Sequence, residues 1–137
     1  MRTAMLFIAA MLVTARAQVP DPTDTVAVTS AAPASASGLL YISKADTHAP
    51  GLRNPVLLVE GFDLANSMDW PELYNLLNRE NLVAEIQSFG RDLLILNFDD
   101  STIDISANAA LNETAIAYVN DHRDDPDREA RRDRHRT

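Results

Sequence analysis

Two stretches of this chain are apolar at every position, and between them apolar residues recur every three or four positions. Val56-Leu57-Leu58-Val59, preceded by Pro55, fits a strand buried on both faces. Leu93-Leu94-Ile95-Leu96, extended to Phe98, is a second such strand. In Trp70 to Gln87, residues Leu73, Leu76, Leu77, Val83 and Ala84 share one face of a helix. Asp69 is placed to cap it, with Glu72 three residues on, Pro71 in the first turn and Gly90 as the stop. After a turn at Asp99-Asp100-Ser101, Ser101 with Asp104 resembles a further helix cap. Ile105, Ala109, Ile116 and Val119 then line a helix that runs to Asn120. Upstream, Leu39 to Ile42 is a short apolar run that suits an edge strand, and His48-Ala49-Pro50-Gly51 marks a turn.

Strand, loop, helix, strand, turn, helix is the order of an α/β domain with a right-handed crossover between parallel strands. The second helix calls for a third parallel strand. Instead the chain continues as DHRDDPDREARRDRHRT, with almost no apolar side chain. The expectation is therefore an incomplete three-layer parallel sheet in βαβα order over residues 39–120, with open sheet edges and helix faces. Residues 121–137 read as a disordered, charged tail. The abrupt change of composition at Asp121 also suggests that a frameshift near codon 120 has replaced the original continuation.

The N-terminus changes the picture in another way. Arg2, the ten-residue apolar run Ala4 to Val13, and Ala15-Arg16-Ala17 have the layout of a secretory signal peptide spanning residues 1–17. Ten residues fall short of the roughly 20 that span a bilayer. Residues 18–38, rich in Pro, Ala, Ser and Thr, read as a flexible linker. The expected location is secreted, either periplasmic or extracellular, with no transmembrane segment in the mature chain. The chain contains no cysteine, which excludes a disulfide framework.

Net charge is −8, with 20 acidic residues against 12 basic. Six of those basic residues are arginines in the last 17 positions, so the presumed folded part is acidic. No basic groove for a phosphate backbone is available, and nucleic acid is not an expected partner.

Chemistry is best sought where the first apolar strand ends. Ligands of open α/β sheets sit beyond the carboxyl ends of parallel strands, and Glu60-Gly61-Phe62-Asp63 lies there. Gly61 permits close approach of backbone to a ligand and conformations closed to other residues. The N–H groups around Phe62 and Asp63 are candidates to face a developing negative charge. The segment PVLLVEGFD resembles the strand and oxyanion loop of the α/β-hydrolase superfamily, in its lipase and esterase-like branch. The resemblance extends through the helix at 70–87, the strand RDLLILNFDD and the segment DISANAALNETAIAYVN, covering roughly residues 52–120. It implies an ester or lipid substrate, no cofactor, and an oxyanion-hole or substrate-binding role for Glu60, Gly61, Phe62 and Asp63, with the Phe62 N–H as one donor. Two departures matter. Lipases often carry His where this chain has Glu60. The nucleophile elbow G-x-S-x-G is absent, since no two of Gly38, Gly51, Gly61 and Gly90 are four apart, and with it go all three triad positions. The plainer reading of Glu60 to Asp63, a strand-ending turn of some other α/β domain, stands beside the resemblance.

Other motifs are weaker. Asp99-Asp100-Ser101-Thr102 resembles phosphohydrolases with an Asp nucleophile but has Ser101 where a second Asp is wanted. Asp63, Asp69, Asp99, Asp100 and Asp104 lack the spacing of a calcium loop. His48, His122 and His135 lack metal-ligand spacing, so no metal is expected. Asn112-Glu113-Thr114 is a glycosylation sequon inside an expected helix. Two functions result: part of a secreted ester hydrolase that is inactive alone, or a small secreted binding module completed by a partner or by self-association through its open sheet.

Overall fold

The computed structural model describes residues 18–31, 35–61 and 67–124. The expected signal peptide, the loop residues Phe62 and Asp63, and positions 125–137 lie outside them. The elements, in chain order, are β1 (Asp24–Thr29), β2 (Ser37–Ser43), β3 (Val56–Val59), α1 (Trp70–Asn78), α2 (Leu82–Ser88), β4 (Leu93–Phe98) and α3 (Ile105–His122). One four-stranded sheet has the order β1-β2-β4-β3. It is a small α/β fold with a mixed sheet, not the all-parallel sheet expected: only β3 and β4 run parallel, while β1–β2 and β2–β4 are antiparallel.

Alternation along the central strands sorts the side chains into two cores. Leu40, Ile42, Leu94, Leu96 and Phe98 point to one face and pack with Ala107, Leu111, Ala115 and Val119 of α3. Tyr41, Leu93 and Ile95 point to the other and pack with Trp70, Leu73 and Val83 of α1 and α2. Helices thus cover both faces, which accounts for the unbroken apolar run of β4.

Four local expectations are corrected. The supposed linker contains β1: Thr25-Val26-Ala27-Val28-Thr29 alternates β-branched residues with period two, pairs with β2 from Asp24↔Ile42 to Thr29↔Ser37, and buries Val28. Pro20 is anchored too, its carbonyl accepting the Trp70 indole N–H at 2.8 Å. Consequently Leu39 to Ile42 belong to an interior strand, not an edge.

The helix expected over 70–87 is broken at Asn81, which sits at φ 55 and starts α2. Six residues separate Leu77 from Val83, a spacing that an unbroken 3.6-residue repeat cannot keep on one face. The left-handed residue resets the phase and buries Val83, leaving Ala84 and Leu76 exposed.

The buried face of α3 is also rephased. Ala107, Leu111, Ala115 and Val119, spaced by four, meet the sheet, while Ile105 is 85% exposed and Ile116 44%. Small Ala107 and Ala115 let the helix axis come close to the sheet, an advantage that large side chains at 105 and 116 do not offer. Asp104, not Ser101, is the N-cap, its Oδ1 accepting the Ser106 N–H at 2.7 Å.

Last, the chain does not leave the fold at Asn120. Helix α3 runs to His122, and Arg123 forms a parallel bridge with Leu52. Leu52 N–H donates to the His122 carbonyl, and Asp124 N–H to the Leu52 carbonyl, both at 2.8 Å. The crossing is so close that a Cβ on Gly51 would lie 2.8 Å from the Asp124 nitrogen.

Asp92 sets how β3 enters the sheet. Its buried carboxylate accepts the Ala45 N–H at 2.9 Å and the Arg53 N–H at 2.7 Å, and its carbonyl accepts the Val56 N–H at 2.8 Å. Asp92→Ala orphans two backbone donors and is expected to lower unfolding stability by about 3 kcal/mol, read by chemical denaturation. A loss under about 0.5 kcal/mol would show that the carboxylate does not hold these strands.

Candidate functional site at the exit of β3

Parallel pairing with β4 carries β3 upward from Val56, and the ladder ends where Glu60 N–H donates to the Leu96 carbonyl at 2.9 Å. The backbone groups of 56, 58 and 60 therefore face β4. Those of Leu57 and Val59 face the opposite way, along an outer edge that pairs with no strand among the described residues. The candidate loop begins at the top of this edge.

Glu60 is buried, and its Oε2 accepts the Phe98 N–H at 3.1 Å. The carboxylate thereby ties the exit of β3 to the last residue of β4. Gly61 follows with an ordinary backbone conformation: Gly90, at φ 67, is the glycine that uses positive φ. A Cβ at Gly61 would meet nothing within 4 Å. The conformational argument for Gly61 is thus corrected. What remains is openness: backbone without a side chain, accessible to an incoming group. Phe62 and Asp63 lie outside the described residues.

Two cavities meet at Val59, Glu60 and Gly61, one on each face of the sheet. The larger, of about 350 Å³, runs between the end of β3 and the first turns of α3, with Phe98, Ser101, Ile105, Asn108, Ala109 and Asn112 in its wall. The smaller, of about 130 Å³, lies against α1, where Met68, Leu73, Leu76 and Leu77 supply an apolar wall. Neither has a basic side chain in its lining, so both suit uncharged groups better than phosphate.

Asn108 and Asn112 carry a signal that the sequence pattern did not bring out. They stand one turn apart on α3, and Asn108 Nδ2 donates to the Ser101 carbonyl at 3.2 Å. Both Oδ1 atoms are buried without a hydrogen-bond partner among the described residues. Buried acceptors of this kind call for donors, and the cavity is where donors would arrive. An Asn pair at i, i+4 in an Ala-rich helix is visible in the sequence, but there Asn112 registers only as part of a sequon. The structure puts Asn112 in a cavity wall, not on a surface loop.

The aspartates do not converge. Asp100 bonds Thr102, and Asp104 bonds Ser106, each a local polar turn. Among the described residues no group of three or more His, Cys, Asp or Glu is placed to hold a metal ion. His122 instead stacks on Tyr118, ring centroids 3.9 Å apart. No helix among the described residues is long and apolar enough to cross a membrane. Comparison of the chain with protein-family models, with curated proteins and with solved structures gives no match.

Two expectations concern the site's scaffold. Glu60→Leu removes the acceptor of a buried N–H and should cost about 1–3 kcal/mol, with Glu60→Gln losing less because an acceptor oxygen remains; thermal melts of both variants decide. The Ser106 hydroxyl and then its N–H hold the Asp104 carboxyl below its ordinary value of 3.8. A depressed carboxylate stabilises the fold above the unfolded value and ceases to do so as pH falls through the folded one. The melting difference between wild type and Asp104→Ala should therefore be present at neutral pH and shrink below about pH 4.

Proposed function

We propose that this chain is the oxyanion-loop part of a secreted serine hydrolase of the α/β-hydrolase type, acting on carboxylic esters or lipids, with the catalytic triad supplied by polypeptide outside these 137 residues. The observation that carries the reading is the Glu60-Gly61 backbone at the carboxyl end of a parallel strand, open to cavities on both faces of the sheet. Such a position lets backbone N–H groups meet the oxyanion of an acyl-transfer intermediate.

Topology supports it as well. Helices α1 and α2 lie on one face and α3 on the other. Right-handed crossovers on opposite faces travel in opposite directions across a sheet. The step from β3 moves to β4, so a strand following α3 belongs beside β3, next to the Gly61 loop. The Leu52–Arg123 bridge already sets the chain parallel to the entrance of β3 on that side. A strand there would bring a nucleophile at its carboxyl end beside the oxyanion donors, and donors to Asn108 and Asn112. In this reading Glu60 positions the loop, Gly61 leaves room for substrate, and Phe62 and Asp63 supply N–H groups.

A second reading, a non-catalytic secreted module completed by a partner, rests on the apolar Ile105 and Ile116 left exposed on α3.

The encoding DNA separates the two. Translation beyond codon 120 in every forward frame should yield an apolar strand followed by G-x-S-x-G; finding none would remove the hydrolase reading. The purified chain is expected to hydrolyse p-nitrophenyl butyrate no faster than buffer does. Turnover that survives a serine-directed inhibitor would contradict the proposed mechanism.

A further inference from the structure

The outer edge of β3 combines three properties that concern self-recognition. Its outward N–H and C=O groups belong to Leu57 and Val59, symmetric about Leu58. No charge and no proline interrupts Val56 to Val59, so the usual guards of an exposed edge are missing. Apolar side chains flank it on both faces: Val59, 43% exposed, with Ile105, Ala109 and Ile116 of α3 on one, and Leu76, 47% exposed, on the other.

We infer that the 137-residue chain forms a two-fold dimer in which the β3 edges of two copies pair antiparallel about Leu58, joining two four-stranded sheets into one continuous sheet. With the axis at Leu58, Leu57 of one copy stands opposite Val59 of the other. Both residues point outward, so each such pair exchanges two bonds. The two pairs use every outward N–H and C=O of both strands. The same axis, perpendicular to the sheet, brings the α3 stripes of the two copies together on one face and the α1 faces together on the other, covering the exposed isoleucines.

Charge selects the antiparallel arrangement. At the exit end of the sheet stand Glu60, Asp69, Glu72, Asp99, Asp100 and Asp104, with no basic residue among them. Lys44, Arg53, Arg91 and Arg123 stand at the entry end, Arg123 on the edge itself. Antiparallel pairing sets the acidic end of one copy beside the end that carries the arginines of the other, whereas parallel pairing would align acid with acid. The inference does not rest on the hydrolase reading, although a strand supplied by further polypeptide would compete for the same edge.

Sedimentation equilibrium of the purified chain at roughly 100 μM should give twice the chain mass, with a dissociation constant that rises with salt. Val59→Pro is the diagnostic variant. It deletes an outward donor and leaves the β3–β4 bonds of 56, 58 and 60 intact, and Leu58 is already extended as a residue before proline must be. Dissociation to monomer with an unchanged circular dichroism spectrum is expected, a weakening of at least about tenfold. Ile116→Lys, on the exposed stripe, should do the same and decides the matter if Val59→Pro does not fold. A monomeric wild type, open-ended oligomers, or a dimer that survives the folded variants would each overturn the inference.

Discussion

The position of the candidate site depends on one buried carboxylate at the opposite end of the sheet. Asp92 is 1% exposed and has no cationic partner among the described residues. It spends its lone pairs on the backbone of the two segments that flank it, Ala45 leaving β2 and Arg53 before β3. Its own N–H donates to the Arg53 carbonyl at 3.0 Å, closing a knot of main chain around one side chain. The consequence is register. With Val56 fixed opposite Leu93, four residues of β3 end at Val59 opposite Leu96, and Glu60 arrives within reach of the Phe98 N–H. Hydrogen bonds from several N–H groups are what make a buried carboxylate tolerable without a counter-charge. Both ends of β3 are thus held by acidic residues bonded to backbone, and the short strand between them carries the loop.

The rest of the molecule arranges apolar surface around that strand. Trp70 anchors one layer, its ring 5.6 Å from Tyr41 and 5.4 Å from Tyr74, and its indole nitrogen reaches back to Pro20. Leu111, fully buried, anchors the other between two alanines. Burial follows the sheet order. Interior β4 buries Leu93 to Leu96 almost completely, whereas in edge strand β3 Val56, Leu57 and Leu58 are only half-buried and Val59 is exposed. The apolar runs of the two strands look alike in sequence, but only one is covered on both sides.

That contrast explains what the sequence reveals and what it hides. Continuous apolar runs identify β3 and β4, and the parallel crossover between them follows from the helical stretch that separates them. β1 is hidden because Thr, Ala, Ser and Pro dominate the composition around it, and a period-two pattern over so short a strand is weak beside that bias. Phase is hidden too. Ile105 and Ile116 are the obvious apolar residues of α3, yet Ala107 and Ala115 take the sheet face, because close approach of the backbone outweighs the larger transfer energy of isoleucine. For the site, the loop's location at a strand end is legible in the sequence, whereas the bond between Glu60 and Phe98 is not: it depends on a register that Asp92 sets from the far end of the strand. The sense of Gly61 differs as well. Its value lies in empty space around it, not in an unusual backbone angle.

The exposed isoleucines obey the same logic. A helix that buries Ala107, Leu111, Ala115 and Val119 against β1, β2 and β4 turns positions 105, 109, 112 and 116 toward the side where β3 ends the sheet. Those positions hold Ile, Ala, Asn and Ile, a face made for contact with something that is both apolar and able to donate hydrogen bonds. Extended backbone has both properties, and the outward N–H and C=O groups of β3 open onto the same space. Whether that backbone belongs to a hydrolase strand or to a second copy, the requirement is one and the same. The surface is built to continue the sheet, and the Gly61 loop sits at the place where the continuation would end.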